Sequence, residues 1–268
     1  MRFGINTSFA EVMALQHISF DYLEEHVQRF LLPEQPQAAF EDVWRAARKL
    51  PIAIEAANSF FPTDLPLVAT PTRPVDTARL ERYVKTALRR AEQVGIRVIV
   101  FGSGGARACP KGYGHDAALR QLEEHLAQWS EWAGEHGVEI VLEPLRYAET
   151  NTVNTVSEGG ALISRLAASG ASHIGLLADT YHMASNAEDP ETLLPWAALL
   201  RHVHVAELTE RAAPGQHGES FRPFFSALQR GGYQQRLSIE CTWKRLSAEV
   251  DLAIAILREQ WESTSNRM

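Results

Sequence analysis

Short apolar runs alternate along the chain with longer stretches whose apolar residues recur every three or four positions. The short runs are FGINTSF (3–9), FDYLEEHV (20–27), IAIEAANSF (52–60), RVIVFGSGG (97–105), VEIVLEP (138–144), IGLLADT (174–180), HVHVAE (202–207) and LSIECTW (237–243). Runs of this length, bounded by polar or turn-forming residues, read as strands buried on both faces. Between them the period is helical. Leu80, Val84, Leu88, Ala91 and Val94 share one face ahead of Gly95, and Leu119, Leu122, Leu126, Trp129 and Ala133 share another ahead of Gly137. Each glycine is placed to close a helix C-terminus. Thr155 and Glu158 have the spacing of a capping box before Leu162, Ile163 and Leu166, which predicts a helix starting near Val156. A last helix aligns Val250, Ile254, Leu257 and Trp261, and fainter helical patterns lie at 10–18, 37–50, 190–200 and 220–231.

Eight strands alternating with helices imply right-handed crossovers and a parallel sheet. In a chain of 268 residues that pattern predicts one closed (β/α)8 barrel, the TIM-barrel architecture, as a single domain over 1–268. An open doubly wound sheet is the alternative, but no GxGxxG turn follows the first strand and no Walker A motif is present to support a nucleotide site. The 45% hydrophobic content is enough for a sizeable core. Two cysteines, Cys109 and Cys241, are too few for a disulfide framework or thiolate cluster and fit a reducing cytoplasm. The N-terminus lacks the pattern of a secretion signal, and no uncharged run approaches the ~20 residues that cross a bilayer. A net charge of -7 argues against a phosphate-binding surface for nucleic acid and in favour of a small-molecule partner. The expectation is therefore a cytoplasmic protein bound to neither membrane nor nucleic acid. A symmetric homodimer, the commonest closed oligomer, is expected on general grounds.

In a barrel the C-terminal ends of the strands converge on one mouth, where ligands bind. The fifth candidate strand ends in Glu143, the sixth in Asp179, the seventh carries His204 and the eighth ends in Glu240, separated by 36, 25 and 36 residues. Singly, each has a plain structural use. Glu143 before Pro144 can close a loop, Asp179 can cap a helical turn, and the alternating His202 and His204 can be core histidines. A lone carboxylate such as Glu240 at the end of a buried strand is harder to place without a partner. Together, three carboxylates and an imidazole at four successive strand ends point to a divalent cation. Oxygen-rich ligands without thiolate favour Mn2+, then Mg2+, with Co2+ and Zn2+ also compatible. FGSGGAR after the fourth strand reads equally as a phosphate cradle or a tight turn. Phe60 and Phe61 are read as loop packing ahead of a substrate wall, and Cys241 as a structural thiol.

The segments LEPLRYAE, LLADTYHM, HVHVAE and SIECTW, in this order and spacing, resemble the xylose isomerase-like barrels of the sugar phosphate isomerase/epimerase type, especially the D-tagatose 3-epimerase and hydroxypyruvate isomerase branch. The resemblance implies a single metal held by Glu143, Asp179, His204 and Glu240. It implies substrate contacts from His182, three residues after Asp179, and from Glu149, six residues after Glu143. The family's arginine beyond the HxH strand is matched by Arg211, one position further along. The implied activity is epimerisation or isomerisation of a small ketose, sugar phosphate or hydroxy-keto acid through a metal-stabilised enediolate, with Glu143 and Glu240 as acid and base. A dehydratase of a cyclic polyol or keto acid would use the same site. An abasic-site nuclease similar to endonuclease IV would need further histidines on the early strands, and a non-catalytic sugar-binding barrel would not need the second carboxylate.

Overall fold

A computed structural model describes residues 1–265. The eight strands are β1 (Arg2–Asn6), β2 (Tyr22–His26), β3 (Ile54–Asn58), β4 (Val98–Phe101), β5 (Glu139–Leu142), β6 (Ile174–Asp179), β7 (Leu200–Val205) and β8 (Arg236–Ile239). They pair in chain order, and β8 closes the barrel on β1 with Arg2 opposite Arg236 and Ile5 opposite Ile239. Every pairing is parallel. The strands fall within or close to the apolar runs but mostly stop earlier. The polar ends of those runs, such as Ser59, Gly102, Glu143 and Glu240, lie in the loops just past the sheet.

The helices are α1 (Phe9–Met13), α2 (Gln37–Ala47), α3 (Thr77–Val94), α4 (Gly104–Arg107), α5 (His115–Glu135), α6 (Val156–Ala168), α7 (Thr180–Ser185), α8 (Arg222–Arg230) and α9 (Leu246–Ser265). The caps behave as expected. Gly95 closes α3 in the left-handed conformation at φ 88°, and Gly137 takes φ 60° just after His136 closes α5. Thr155 and Glu158 form the reciprocal capping box that starts α6. Two expectations change. The 10–18 pattern yields only α1, and 190–200 forms a 3-10 helix, Pro190–Leu199, with Pro195 inside it. Proline lacks the amide proton and crowds the preceding turn, so an α-helix is disfavoured there.

The main core lies between sheet and helices. Phe60 and Phe61 pack there against Tyr83, Phe101 and Trp129, at centroid separations of 4.1–6.4 Å. A separate inner cluster of Tyr22, Ala56, Val98, Val100, Val141 and Leu177 fills the barrel. One layer of that interior runs across four strands, because His204 lies opposite Ser238, Ser238 opposite Gly4, and Gly4 opposite Tyr22. Gly4 is required here, since a Cβ on it would collide with the Tyr22 ring. Among the described residues no helix is long and apolar enough to cross a membrane.

Candidate metal and active site

At the C-terminal mouth, Glu143, Asp179, His204 and Glu240 each offer one ligand atom, all within 4.8 Å of one another. Glu143 follows β5 and Glu240 follows β8, whereas Asp179 ends β6 and His204 sits in β7. His204 Nδ1 lies 3.2 Å from Glu143 Oε1 and 3.1 Å from Glu240 Oε2. Asp179 serves two purposes. Its Oδ1 accepts from the Tyr181 amide at 2.7 Å and so caps α7, leaving Oδ2 to face the cluster. Gly102, at the end of the β4 run, leaves the room that Glu143 occupies, because a Cβ there would overlap its carboxylate.

The electrostatics are those of crowded, buried acids. Burial, reinforced by the Glu240 charge, raises the Glu143 carboxyl above its ordinary range. Burial also pushes Glu240 upward, but His204 and Arg211 outweigh it and hold that group at about 2. His204 is raised well above an ordinary histidine because Glu24 and Glu240 outweigh its burial. A donor set of three carboxylates and one imidazole nitrogen, converging on a point that their own charges make unfavourable, fits a hard or borderline divalent cation.

The other expected residues surround the same point. His182 is buried, with Nε2 at 3.6 Å from Asp179 Oδ2 and 3.8 Å from Glu143 Oε1. Its Nδ1 accepts from the Arg146 amide at 3.3 Å, which leaves the proton on Nε2. Glu149 lines the cleft and is held by Arg146 Nε at 2.7 Å. Arg211 also reaches the site. Glu210 and Arg211 are both left-handed, at φ 60° and 49°, and this reversal of the chain carries the guanidinium back over the Tyr181 ring at 4.8 Å. Arg211 Nη2 donates to Glu240 Oε2 and lies 3.4 Å from Asp179 Oδ2.

The pattern of the sequence did not single out four further residues. Asn58, at the end of β3, donates from Nδ2 to Glu240 Oε1 at 2.5 Å. Glu207 is fully buried and accepts from the amides of Gly215, His217 and Glu219, which organises the loop that carries Arg211. Arg107 is fully buried and donates to the carbonyls of Gly102, Thr152 and Glu143, joining the loops that follow β4 and β5. Glu24, inside β2, contacts His204 from below at 2.9 Å. One signal was available for Glu24 and Glu207, as for Glu240: a carboxylate in or at the end of a buried strand needs partners.

The cleft over these groups has a volume of about 220 Å3. Its walls from β3 and β4 are Asn58, Ser59, Phe61, Gly102, Ser103 and Gly104, with no histidine of the kind a nuclease cluster would need. The FGSGGAR segment leads from β4 into α4 and brings Gly102, Ser103 and Gly104 to the cleft, with Ser103 Oγ accepting from the Phe61 amide at 2.9 Å. The Cys241 thiol is raised far above its ordinary value by burial and by Glu249, in keeping with an inert side chain.

The chain matches the family described as xylose isomerase-like TIM barrel over residues 12–260. It is 29% identical over 147 residues to a ketose 3-epimerase of Arthrobacter globiformis, covering 54% of this chain and 50% of that protein. It is 32% identical over 138 residues to an L-ribulose 3-epimerase of Mesorhizobium japonicum, covering 51% and 45% respectively. The matches thus span about half the length of these relatives. A solved L-ribulose 3-epimerase superposes with a TM-score of 0.79 at 20% identity, covering 99% of this chain and 96% of that one, and so shares the fold. With the closed parallel barrel, the strand-end acids and a family match across nearly its whole length, the chain belongs to the xylose isomerase-like TIM barrel family.

Proposed function

We propose that the protein is a divalent-metal-dependent epimerase of a small ketose, inverting the carbon next to the carbonyl, which is carbon 3 of a 2-ketose. One observation carries the reading: Glu143 and Glu240, delivered by β5 and β8, converge on a single histidine nitrogen at 3.2 and 3.1 Å beneath a small polar cleft. The names of the relatives agree with it. Glu143, Asp179, His204 and Glu240 would hold the ion, with Mn2+ favoured by the oxygen-rich set. When bound, such an ion supplies the Lewis acidity that makes the proton beside a carbonyl removable near neutral pH.

The remaining work falls to side chains. Of Glu143 and Glu240, one removes the proton from the carbon and the other returns a proton on the opposite face, which inverts the centre. His182 offers its Nε2 proton to a substrate oxygen, its ring fixed by the Arg146 amide. Glu149 and Arg211 bind hydroxyls further along the sugar, and Phe61 and Leu145 give the cleft its apolar walls. A two-carboxylate arrangement favours epimerisation over the single-carboxylate transfer that would interconvert aldose and ketose. A homodimer is part of the proposal, and a monomer mass by light scattering overturns that part alone.

The test compares Glu143→Gln and Glu240→Gln at matched metal content. Turnover of a ketose panel should fall by about 100- to 10,000-fold in each, the usual contribution of a positioned acid or base. In deuterated water each variant should still exchange the substrate proton from one epimer only. Full turnover by either metal-loaded variant would rule out the two-base mechanism. Elemental analysis should find about one metal per chain, lost in Asp179→Ala and His204→Ala.

A further inference from the structure

Beneath the site, Glu24 gathers a set of donors. Its Oε1 lies 2.9 Å from His204 Nε2, and its Oε2 lies 2.7 Å from His202 Nε2 and 2.5 Å from Ser238 Oγ. Ser238 spends its proton on Glu24, so its oxygen accepts from the Tyr22 hydroxyl at 2.8 Å. Tyr22, Glu24, His202, His204 and Ser238 are all fully buried. His204, His202 and Ser238 all aim their donors at this one fully buried carboxylate, and Tyr22 reaches it only through Ser238. The three strands that supply it, β2, β7 and β8, are brought together only by the closure through β1, where Gly4 leaves space for the Tyr22 ring.

An ionised carboxylate can only accept. The proton of the His204–Glu24 contact therefore belongs on His204 Nε2, and Nδ1 is the nitrogen turned toward Glu143 and Glu240. We propose that Glu24 is the positioning residue of the metal centre: it fixes the tautomer and ring orientation of His204, so that Nδ1 is the ligand atom, and its charge raises the basicity of that nitrogen. His202 and Ser238 hold Glu24 in place by occupying its second oxygen, and the Tyr22 hydroxyl in turn holds Ser238. A carboxylate behind a ligating histidine commonly changes metal affinity by 10- to 100-fold. The assignment rests on the proposed function only in taking the four strand-end groups as a metal site.

The test is calorimetric titration of metal-free protein with Mn2+, together with histidine 15N spectra of the Zn2+-loaded protein. Glu24→Gln is close in shape but uncharged, and its Mn2+ affinity should fall about 10- to 100-fold while the metal-free protein melts within a few degrees of the parent. The His204 Nε2–H signal should shift or vanish. Glu24→Asp keeps the charge one methylene further back, should lose more than threefold, and supplies the test if the glutamine variant does not fold. Ser238→Ala leaves Glu24 charged and should lose less than either. Unchanged Mn2+ affinity in Glu24→Gln, with affinity lost in His204→Ala, overturns this assignment and leaves the functional reading standing. No Mn2+ binding by the parent chain overturns both.

Discussion

Arg107 couples the fold to the site, and replacing it with methionine tests that coupling. The methionine fills similar space but leaves the carbonyls of Gly102, Thr152 and Glu143 without their donor in a fully buried position. Each orphaned carbonyl costs about 1–3 kcal/mol. Against this, burial holds the guanidinium at about 10, below its ordinary 12.5, and removing that buried charge returns about 3 kcal/mol at ~1.36 kcal/mol per pH unit. Taking a middle value of about 2 kcal/mol per carbonyl, the net loss is about 3 kcal/mol. For a chain of this size that corresponds to a fall in Tm of roughly 5–10 °C. Differential scanning calorimetry of metal-free Arg107→Met against the parent measures it. Because Arg107 holds the carbonyl of Glu143 itself, Mn2+ affinity should fall as well. A Tm within about 2 °C of the parent refutes the view that these carbonyls depend on Arg107.

Gly102→Ala puts a methyl where the Glu143 carboxylate sits. It should weaken Mn2+ binding at least about tenfold while costing only about 1–3 kcal/mol of stability, as overpacking usually does; an unchanged titration shows that Glu143 has room to move. His125 donates from Nε2 to the Leu67 carbonyl at 2.9 Å and stacks on Trp129 at 5.5 Å, and burial holds its pKa below the ordinary 6.5. As pH falls through 6.5 the unfolded chain takes up this proton before the folded one, so stability present above 6.5 is lost below it. His125→Gln keeps a donor for Leu67 but does not titrate, so its Tm should drop less than the parent's between pH 7 and 5; equal drops refute the contribution.

Much of the site was legible because its residues sit at the ends of apolar runs. Glu143, Asp179 and Glu240 stand out as charges where a strand leaves the core, and chain order alone assigns them to neighbouring positions around the mouth. His182 and Glu149 followed from the family resemblance, and the structure lines the cleft with both. Arg211 sits one position beyond the family pattern, and only the left-handed pair Glu210–Arg211 explains how it reaches Glu240. The short helices α4 and α7 left no periodic trace, since four and six residues are too few to display a face. Asn58 lies in a run that reads as strand, where an uncharged polar residue near the end suggests only an exit from the sheet.

The sequence by itself determined the order of elements. Burial on both faces, helical period and capping are local conditions that each segment states within its own ten or twenty residues. It also determined that charges end the later strands. The tertiary structure decided which groups meet. Glu24 and His204 are 180 residues apart, and Tyr22 and Ser238 are 216 apart. They touch because β8 closes on β1 in one register, which puts His204, Ser238, Gly4 and Tyr22 in one layer. No local pattern encodes that contact. A buried carboxylate announces that it needs partners, because leaving one unpaired is costly, but the identity of those partners is fixed only when the barrel closes.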